Sequence, residues 1–467
     1  MAIDLQQPAA TGGERDLSAQ PAPAWSAAPW WRRRHGATLL LVVMVAAVPR
    51  VLWLDYARPE PVSDFKHYLD VAINLVDAGF LGLEGPSAWR LPAFPAFLAA
   101  ALVFTRDTFA LSAITVALTL VQVALTYWLA WLVFRRHAAA LAAGLAAALT
   151  PAFVLYSPVL ASEHLLAVLV LASLIAALRS EDARWPAATP VGGLRGRPAR
   201  WPLAALAGAL LGLAVLTRGE AGAYLPAIAL VVAAGVWRTT TRRRLLTALG
   251  ATALVAAALA AVVAPWIIRN ETVVGAGAGL STTGGFNFYL AHSPGPYGWR
   301  RPLPAPLQAR DEIVRNDLGW RHGLQHVRDH PEDWLPTARE GTSALLGPSS
   351  YAALYATVYR DGAHPGLRTR DDLGLRDDAM QLAAEGSRWL LWAGLAGLLL
   401  VPVWRRRAWL AVAGITLANW LVYAVIFWAQ ARYRFVVDAL ACVAVGALAA
   451  AVAAAASWVD GGWPPRR

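Results

Sequence analysis

The sequence predicts an all-α protein that crosses a membrane about ten times. Hydrophobic residues make up 57% of its 467 positions, well above the share in a typical soluble domain. They fall into apolar runs near the roughly 20 residues that a helix needs to cross a bilayer. Arginine clusters lie at every second junction between these runs. The predicted spans are 37–54, 108–134, 138–155, 163–178, 203–216, 223–236, 245–267, 389–403, 408–428 and 435–458.

The arginine clusters predict the orientation of the chain. Alternate ends of ten helices lie on one side of the membrane, and an excess of Arg marks the cytoplasmic side. We therefore expect a multi-pass protein of a bacterial plasma membrane, with both termini in the cytoplasm. The net charge of +11 is expected to face anionic lipid headgroups, not nucleic acid. The clusters are 32–34, 135–136, 179–200, 242–244, 405–407 and 466–467.

Four regions follow from this topology. Residues 1–31, rich in Ala, Pro and Gln, are predicted to form a disordered cytoplasmic tail. Residues 32–268 form an N-terminal transmembrane catalytic module, which includes a first outer loop at 55–107. Residues 269–388 are expected to form short helices outside the cytoplasm, packed over the site, and 389–467 the C-terminal membrane helices.

The first outer loop contains an amphipathic pattern that begins at Ser63. We expect a helix along the membrane surface, with Ser63 as its N-cap and Asp64 in its first turn. His67 and Tyr68 on this helix are candidate substrate-binding residues. Two interpretations of Asp64 stay open. The carboxylate either complements the helix dipole or serves as a general base toward a hydroxyl.

Further charged residues are predicted on the same outer face. Glu163 begins an apolar helix, where a charge is costly and usually functional or paired. Arg218 and Glu220 lie in a tight junction, where they either contact substrate or form a structural pair. Arg90 lies in a segment rich in Pro and aromatic residues that returns to the membrane. The shared placement of these residues favours chemistry at one membrane surface.

Three more arginines suit an anionic ligand. Arg269 lies just outside the membrane, and Arg432 and Arg434 open the last span on the outer side. The planar guanidinium binds phosphate through two parallel hydrogen bonds. A lipid headgroup and a phosphorylated lipid substrate are both compatible with this placement. The pair Gly284-Gly285 is expected to let backbone amides approach a ligand.

The order and spacing of these motifs resemble a known enzyme family. The chain is similar to membrane glycosyltransferases of the GT-C class, in the branch of dolichyl-phosphate-mannose protein mannosyltransferases and bacterial lipid A aminoarabinose transferases. The resemblance covers nearly the whole chain after Arg32 and implies a GT-C fold. The matching segments are Asp64 in its amphipathic helix, Arg90 to Leu98, Ser157 to Glu163, Gly212 to Arg218, Pro265 to Asn270, Gly284 to Asn287 and Ala431 to Phe435.

The resemblance implies transfer of a sugar from a polyprenyl-phosphate donor to an acceptor outside the cytoplasm, a glycan, lipid or protein, with inversion at the anomeric carbon. By position, Asp64 is the implied base that takes the acceptor proton, and Glu163 is the second catalytic candidate. The candidates for the donor phosphate are Arg90, Arg269, Arg432 and Arg434. The other candidate substrate-binding residues are His67, Tyr68, Arg218, Asn287 and His292.

Whether a divalent cation takes part stays open at this point. Asp64, Glu163 and His292, together with His67, offer the oxygen and nitrogen atoms that such a cation binds. Their spacing in the sequence does not form a metal-binding motif. A cation is therefore a candidate cofactor only.

Two other classes of protein compete with an enzyme. A transporter or lipid flippase predicts charged residues near the bilayer midplane in broken helices, and Arg50 inside the first span fits that pattern. A structural membrane protein has no need for Asp64, Glu163, Arg269 and Arg432 on one face. The sequence thus favours an enzyme at the outer surface.

Overall fold

The computed structural model describes seven stretches of the chain. Residues 1–29 of the predicted tail lie outside them, as do residues 299–300, 309–310 and 349–376 of the loop at 269–388. The described residues form helices, as expected for an all-α polytopic membrane protein. The stretches are 30–180, 200–239, 244–298, 301–308, 311–348, 377–400 and 406–459.

The helices are numbered in chain order. Short 3-10 turns at Gly219–Tyr224 and Ala431–Arg434 and π-helical turns at Asn270–Val274 and Leu421–Ile426 lie between or extend them. The α-helices are α1 Trp30–Ala57, α2 Ser63–Asp77, α3 Ala93–Leu102, α4 Thr108–Phe134, α5 His137–Leu149, α6 Pro151–Tyr156, α7 Ser162–Arg179, α8 Arg200–Thr217, α9 Leu225–Thr239, α10 Arg244–Arg269, α11 Gly284–Ala291, α12 Glu312–Asp329, α13 Trp334–Leu346, α14 Asp377–Leu400, α15 Arg406–Trp420 and α16 Phe435–Val459.

Seven helical segments within the described residues are long and apolar enough to cross a membrane. They correspond to seven of the ten predicted spans. The other three predicted spans coincide with α5 and α6 together, with α8, and with α14. Among the seven, α7 and α16 are the inner helices, because 67% and 72% of their apolar windows are buried by protein. In α1 and α10 only 28% and 22% are buried, so these helices lie at the periphery.

Small residues allow the membrane helices to approach closely. A Cβ atom placed on Gly208 of α8 would lie 2.2 Å from the Val255 carbonyl oxygen of α10. A Cβ atom on Gly397 of α14 would lie 2.3 Å from the carbonyl oxygen of Ala444 in α16. Because lipid is as apolar as a side chain, close packing of this kind stabilises helix pairs in a bilayer.

The predicted span 138–155 is broken, and Arg50 explains how the break is tolerated. Pro151 follows Thr150 and ends α5, which leaves the last carbonyl groups of that helix without intrahelical partners. The buried Arg50 guanidinium donates to the carbonyl oxygens of Ala147 at 3.0 Å and Ala148 at 2.7 Å. Arg50 therefore caps a broken helix, and the structure gives it the partners that the sequence did not identify.

The amphipathic helix of the first outer loop is α2. Its apolar face is buried, with Phe65, Tyr68 and Leu69 among the buried residues. The predicted N-cap at Ser63 is wrong, because Val62 holds the capping position and no side chain caps the helix. Ser63 instead has a φ of 51°, a left-handed conformation at the first helical residue.

Gly285 has a packing role where a ligand-binding role was expected. Its amide donates to the Asn316 side chain at 2.7 Å. A Cβ atom on Gly285 would lie 1.9 Å from the Asn316 carbonyl oxygen, and one on Gly319 would lie 2.4 Å from the Gly285 carbonyl group. The two glycines let α11 and α12 cross at close range. Gly284 alone of the glycine pair lines the site cavity described next.

Candidate functional site

Charged residues from five distant segments meet in one cavity of about 470 Å³, called here the Asp64 cavity. Asp64 comes from the first turn of α2 and Glu163 from the first turn of α7. Arg218 precedes the 3-10 turn after α8, and Arg432 lies in the turn before α16. Arg90 comes from the segment before α3. The predicted convergence of these charged residues is thus present in the structure.

Asp64 bridges two arginines. Its Oδ1 accepts from Arg90 Nη2 at 2.5 Å, and its Oδ2 accepts from Arg432 Nη2 at 2.6 Å. Burial by itself would raise the pKa of Asp64, but the two guanidinium groups outweigh it and hold that pKa well below its usual range. The carboxylate is therefore ionised across the physiological pH range. In this state it is a weak base, because both of its oxygens are engaged.

Glu163 and Arg218 form a second, deeper set of ion pairs. Arg218 Nη1 donates to Glu163 at 3.0 Å, and Arg218 Nε donates to Glu220 at 2.6 Å. Its Nη2 donates to the Tyr423 hydroxyl at 2.8 Å. The Glu163 side chain is only 2% exposed. Every side-chain nitrogen of Arg218 thus donates to a group of the protein. Arg218 therefore holds Glu163, Glu220 and Tyr423 in place beside Asp64.

The two sets of ion pairs are joined. Arg432 Nε lies 3.9 Å from a Glu163 oxygen, while Arg432 Nη2 binds Asp64. Ser162, next to Glu163, donates to the Tyr68 hydroxyl at 3.3 Å, and Tyr68 lies on α2 one turn after Asp64. The cavity thus has three guanidinium groups and three carboxylates, counting Glu220, in continuous contact.

Aromatic side chains form the remaining walls of the Asp64 cavity. Tyr423 stacks on Tyr433 with ring centroids 4.6 Å apart, and Trp428 meets Tyr433 at 5.6 Å. Across the cavity, Trp89 meets Phe286 at 5.6 Å. Aromatic faces with a few convergent polar groups are typical of a small-molecule site. The lining therefore combines guanidinium donors with flat aromatic surfaces.

The aromatic residues 423, 428 and 433 were not identified from the sequence as site residues. Their spacing does not place them on one face of a regular helix. The chain passes from the π-helical turn at Leu421–Ile426 to the 3-10 turn at Ala431–Arg434. This irregular path brings the three rings together. A helical pattern in the sequence does not predict that contact.

Four predicted site residues, Arg434, His292, Arg269 and His67, lie outside the Asp64 cavity. Arg434 is buried and donates to Asp438 at 3.0 Å and to the Gly347 carbonyl oxygen at 2.6 Å. Arg434 therefore joins the end of α13 to α16. This position corrects the prediction that Arg434 binds the donor phosphate. His292 also lies away from the cavity, where its Nε2 donates to the Ile426 carbonyl oxygen at 2.8 Å.

Arg269 also lies away from the Asp64 cavity, contrary to its assignment to the donor phosphate. Its Nη1 donates to the Ser87 carbonyl oxygen and to the Asn270 side chain, each at 2.9 Å. The carboxylate of Glu312 accepts from the Ser87 hydroxyl at 2.7 Å and from the Ala88 amide at 2.8 Å. Arg269 and Glu312 thus hold the segment that carries Trp89 and Arg90. Arg269 affects the site only by positioning this segment.

The remaining predicted residues divide between two places. Tyr68 and Asn287 line the Asp64 cavity, and the Asn287 side chain accepts from Trp428 Nε1 at 3.0 Å. His67 lies on α2 but lines a neighbouring cavity. Burial, followed by the charge of Arg90, lowers the pKa of His67 to about 4. The imidazole is therefore neutral at physiological pH.

The candidate metal ligands do not form a metal site. Asp64 and Glu163 are both bound by arginines, and His292 does not line their cavity. Within the described stretches, no group of three or more His, Cys, Asp or Glu side chains is arranged to hold an ion. A divalent cation would also compete with the guanidinium groups for the same oxygens. The residues present do not fit such a cofactor.

Comparison with known proteins gives matches only among solved structures. No family model and no curated protein matches the chain. An apo oligosaccharyltransferase of Archaeoglobus fulgidus matches with 16% identity and a TM-score of 0.49, over 94% of this chain and 53% of that one. ArnT from Cupriavidus metallidurans bound to undecaprenyl phosphate matches with 18% identity and a TM-score of 0.40, over 91% of this chain and 81% of that one.

These neighbours are membrane glycosyltransferases of the GT-C class, which is the class that the sequence resembles. A third match is the oligosaccharyltransferase AglB of Archaeoglobus fulgidus in complex with an inhibitory peptide and a dolichol-phosphate, with 14% identity and a TM-score of 0.44, over 94% of this chain and 53% of that one. The chain spans about half the length of the Archaeoglobus proteins. At this level of similarity, the function has to be argued from the geometry of the site.

Proposed function

We propose that this protein is an integral membrane glycosyltransferase. It moves a sugar from a polyprenyl-phosphate donor to an acceptor outside the cytoplasm, with inversion at the anomeric carbon. The observation that carries the proposal is the bridge from Arg90 through Asp64 to Arg432 in an aromatic cavity. In this bridge, two guanidinium groups and one carboxylate are in contact with each other near the ends of membrane helices.

Arg90 and Arg432 have the capacity to bind the donor phosphate. A guanidinium group has five N–H donors, and Asp64 takes one Nη2 from each of the two arginines. A sugar phosphodiester gains negative charge on its phosphate as the bond to the anomeric carbon breaks. Donors aimed at that phosphate therefore stabilise the transition state more than the ground state. Arg218 pairs with Glu163, which in turn lies next to Arg432.

Asp64 is the proposed base. The acceptor hydroxyl gives its proton to the Asp64 carboxylate, and its oxygen forms the new bond to the anomeric carbon. The bond from that carbon to the phosphate oxygen breaks, and polyprenyl phosphate leaves. Inversion needs one base and no protein nucleophile.

Donor binding is expected to activate this base. The phosphate shares the positive charge of Arg90 and Arg432, which otherwise hold the pKa of Asp64 low. With that charge shared, the pKa of Asp64 rises and the carboxylate becomes a better proton acceptor. Asp64 is then strongest as a base when a donor is present.

The proposed topology follows from the positive-inside rule. Both termini lie in the cytoplasm of a bacterial cell, and the Asp64 cavity opens on the opposite side. A transporter is less favoured, because the buried Arg50 in the first span caps the carbonyl groups of α5. The charge that suggested transport therefore has a structural partner.

The test is a transfer assay with purified protein in lipid. A panel of radiolabelled polyprenyl-phosphate sugars is offered together with a membrane extract as the acceptor. We expect label from one donor to appear in acceptor material and polyprenyl phosphate to be released. Absence of both transfer and binding for every donor would reject a glycosyltransferase and favour transport.

A further inference from the structure

Arg90 reaches Asp64 from a segment that has no helical structure of its own. Residues 78–92, all within the first described stretch, join α2 to α3 without forming a helix. Backbone polar groups outside a helix depend on other parts of the chain for their hydrogen bonds. The position of Arg90 is therefore set by contacts that this segment makes with other elements.

Glu312, the first residue of α12, makes two contacts with this segment. Its carboxylate accepts from the Ser87 hydroxyl at 2.7 Å and from the Ala88 amide at 2.8 Å. The Ser87 hydroxyl oxygen in turn accepts from the Trp89 amide at 3.0 Å. One carboxylate thus determines the path of three successive residues that end immediately before Arg90.

Neighbouring groups hold the same three residues at other atoms. The Ala88 carbonyl oxygen accepts from the Thr282 amide at 3.2 Å. The guanidinium carbon of Arg315 lies 4.0 Å from the centroid of the Trp89 ring. Arg315 follows Glu312 by three residues, and residues three apart are neighbours on a helix surface. Helix α12 therefore contacts the segment through a carboxylate and a guanidinium group.

Helix α12 is itself fixed to a wall of the Asp64 cavity. Asn316, one turn after Glu312, accepts from the Gly285 amide of α11 at 2.7 Å. Helix α11 supplies Phe286 to the cavity. One helix thus holds both the segment that carries Arg90 and the wall that α11 forms.

We propose that Glu312 is a positioning residue for the transfer reaction. Through the backbone of residues 87–89 it holds the Arg90 guanidinium against Asp64, at 2.5 Å. A misplacement of about 1 Å in a reacting site can lower a rate by roughly 100-fold. The inference rests on the proposed function, in which Arg90 binds the donor phosphate and Asp64 is the base. A carboxylate that only complemented the dipole of α12 would not need its contacts with the segment.

Hydrogen exchange tests the positioning independently of activity. The Glu312→Gln variant keeps the size of the side chain, but its amide nitrogen cannot accept a hydrogen bond. We expect amide exchange in a peptide covering residues 87–91 to accelerate roughly tenfold, the loss of about one hydrogen bond. Asp311→Asn is the matched control, since Asp311 accepts from the Ile313 and Val314 amides of its own helix and Asn caps a helix equally well. Wild-type exchange in Glu312→Gln would overturn the inference.

The pH–rate profile tests the consequence for Asp64. When Arg90 moves away from Asp64, less positive charge holds the pKa of that carboxyl low, and the pKa rises. The acidic limb of kcat/KM should therefore move to higher pH in Glu312→Gln, by no more than in Arg90→Gln. Asp311→Asn should keep the wild-type limb. The double variant Arg90→Gln/Glu312→Gln should show no shift beyond that of Arg90→Gln, because Glu312 acts through Arg90.

Two results in these profiles would also overturn the inference. One is an unshifted limb in Glu312→Gln, and the other is a double variant whose shift equals the sum of the two single shifts. Should Glu312→Gln fail to fold, Glu312→Asp, which keeps the charge and shortens the side chain, replaces it in both measurements. Absence of transfer by the wild type at every pH would instead defeat the proposed function, and hydrogen exchange would still decide whether Glu312 holds the segment.

Discussion

Arg432 donates a 2.6 Å hydrogen bond to Asp64, although 368 positions separate the two residues in the sequence. The contact joins the turn before the last membrane helix to the first turn of α2. A buried arginine at the start of a membrane helix is costly unless it is paired. Its pairing with Asp64 explains how the charge is accommodated, and the proposed donor phosphate explains why it is there.

The Arg432→Gln variant should bind the donor more weakly. Hydrogen bonds to charged groups contribute about 1.5–3 kcal/mol, so we expect a donor affinity lower by roughly 10- to 150-fold. Binding is measured by titration with a labelled polyprenyl-phosphate sugar. Arg434→Gln is the comparison, since Arg434 contacts Asp438 and Gly347 outside the Asp64 cavity. Equal losses of donor affinity in the two variants would contradict the assignment.

The acidic limb of the pH–rate profile should move in Arg90→Gln. In the wild type, the pKa of Asp64 lies well below its usual range, so activity is lost only as the pH falls through that low value. Burial favours the neutral form of Asp64, and the two guanidinium groups favour the ionised form. Removing one guanidinium group therefore raises the pKa of Asp64. The limb of kcat/KM should therefore shift to higher pH. An unshifted limb would mean that Asp64 is not the group that titrates.

Glu163 is expected to be required for stability as well as for the site. Its side chain is 2% exposed and pairs with Arg218. Removing Glu163 leaves Arg218 paired with Glu220 alone, and the loss of a hydrogen bond to a charged group costs about 1.5–3 kcal/mol. Glu163→Ala should therefore lower the melting temperature in detergent, while Glu332→Ala, at an exposed position, should not. A wild-type melting temperature in Glu163→Ala would show that Arg218 does not depend on this partner.

Chelation of divalent cations should leave transfer unchanged. The carboxylates that were candidate ligands are engaged by Arg90, Arg432 and Arg218. The assay is repeated after dialysis against EDTA and again with added Mg²⁺ or Mn²⁺. Loss of activity on dialysis that either ion restores would show that a cation replaces the ion pairs during the reaction.

The sequence was sufficient to predict seven helices long and apolar enough to cross a membrane within the described residues, and the convergence of several charged residues. Apolar length and alternate arginine clusters predict which junctions share a face, and the structure brings Asp64, Glu163, Arg218 and Arg432 from those junctions into one cavity. The sequence did not predict which arginines face the cavity. Arg432 and Arg434 are two residues apart in one 3-10 turn, yet only Arg432 lines the cavity. Side-chain direction in such a turn depends on tertiary contacts that a linear pattern does not encode.

Arg269 illustrates a second limit of sequence analysis. Its position just outside the membrane predicts contact with a phosphate, but its partner is the Ser87 carbonyl oxygen. The segment around Ser87 has no regular periodicity, so its path beside Arg269 and Glu312 could not be anticipated. We expect Arg269→Ala to act through the position of Arg90. The helical pattern therefore does not predict the paths of the irregular segments between helices.

The most direct test of the account compares Asp64→Asn with Asp70→Asn in the transfer assay. Both residues lie on α2, and Asp70 pairs with Lys66 at the exposed surface. General-base catalysis contributes about 10²- to 10⁴-fold, so Asp64→Asn should lower kcat by a factor in that range while Asp70→Asn retains wild-type activity. Full transfer activity in a folded Asp64→Asn variant would contradict the proposed mechanism.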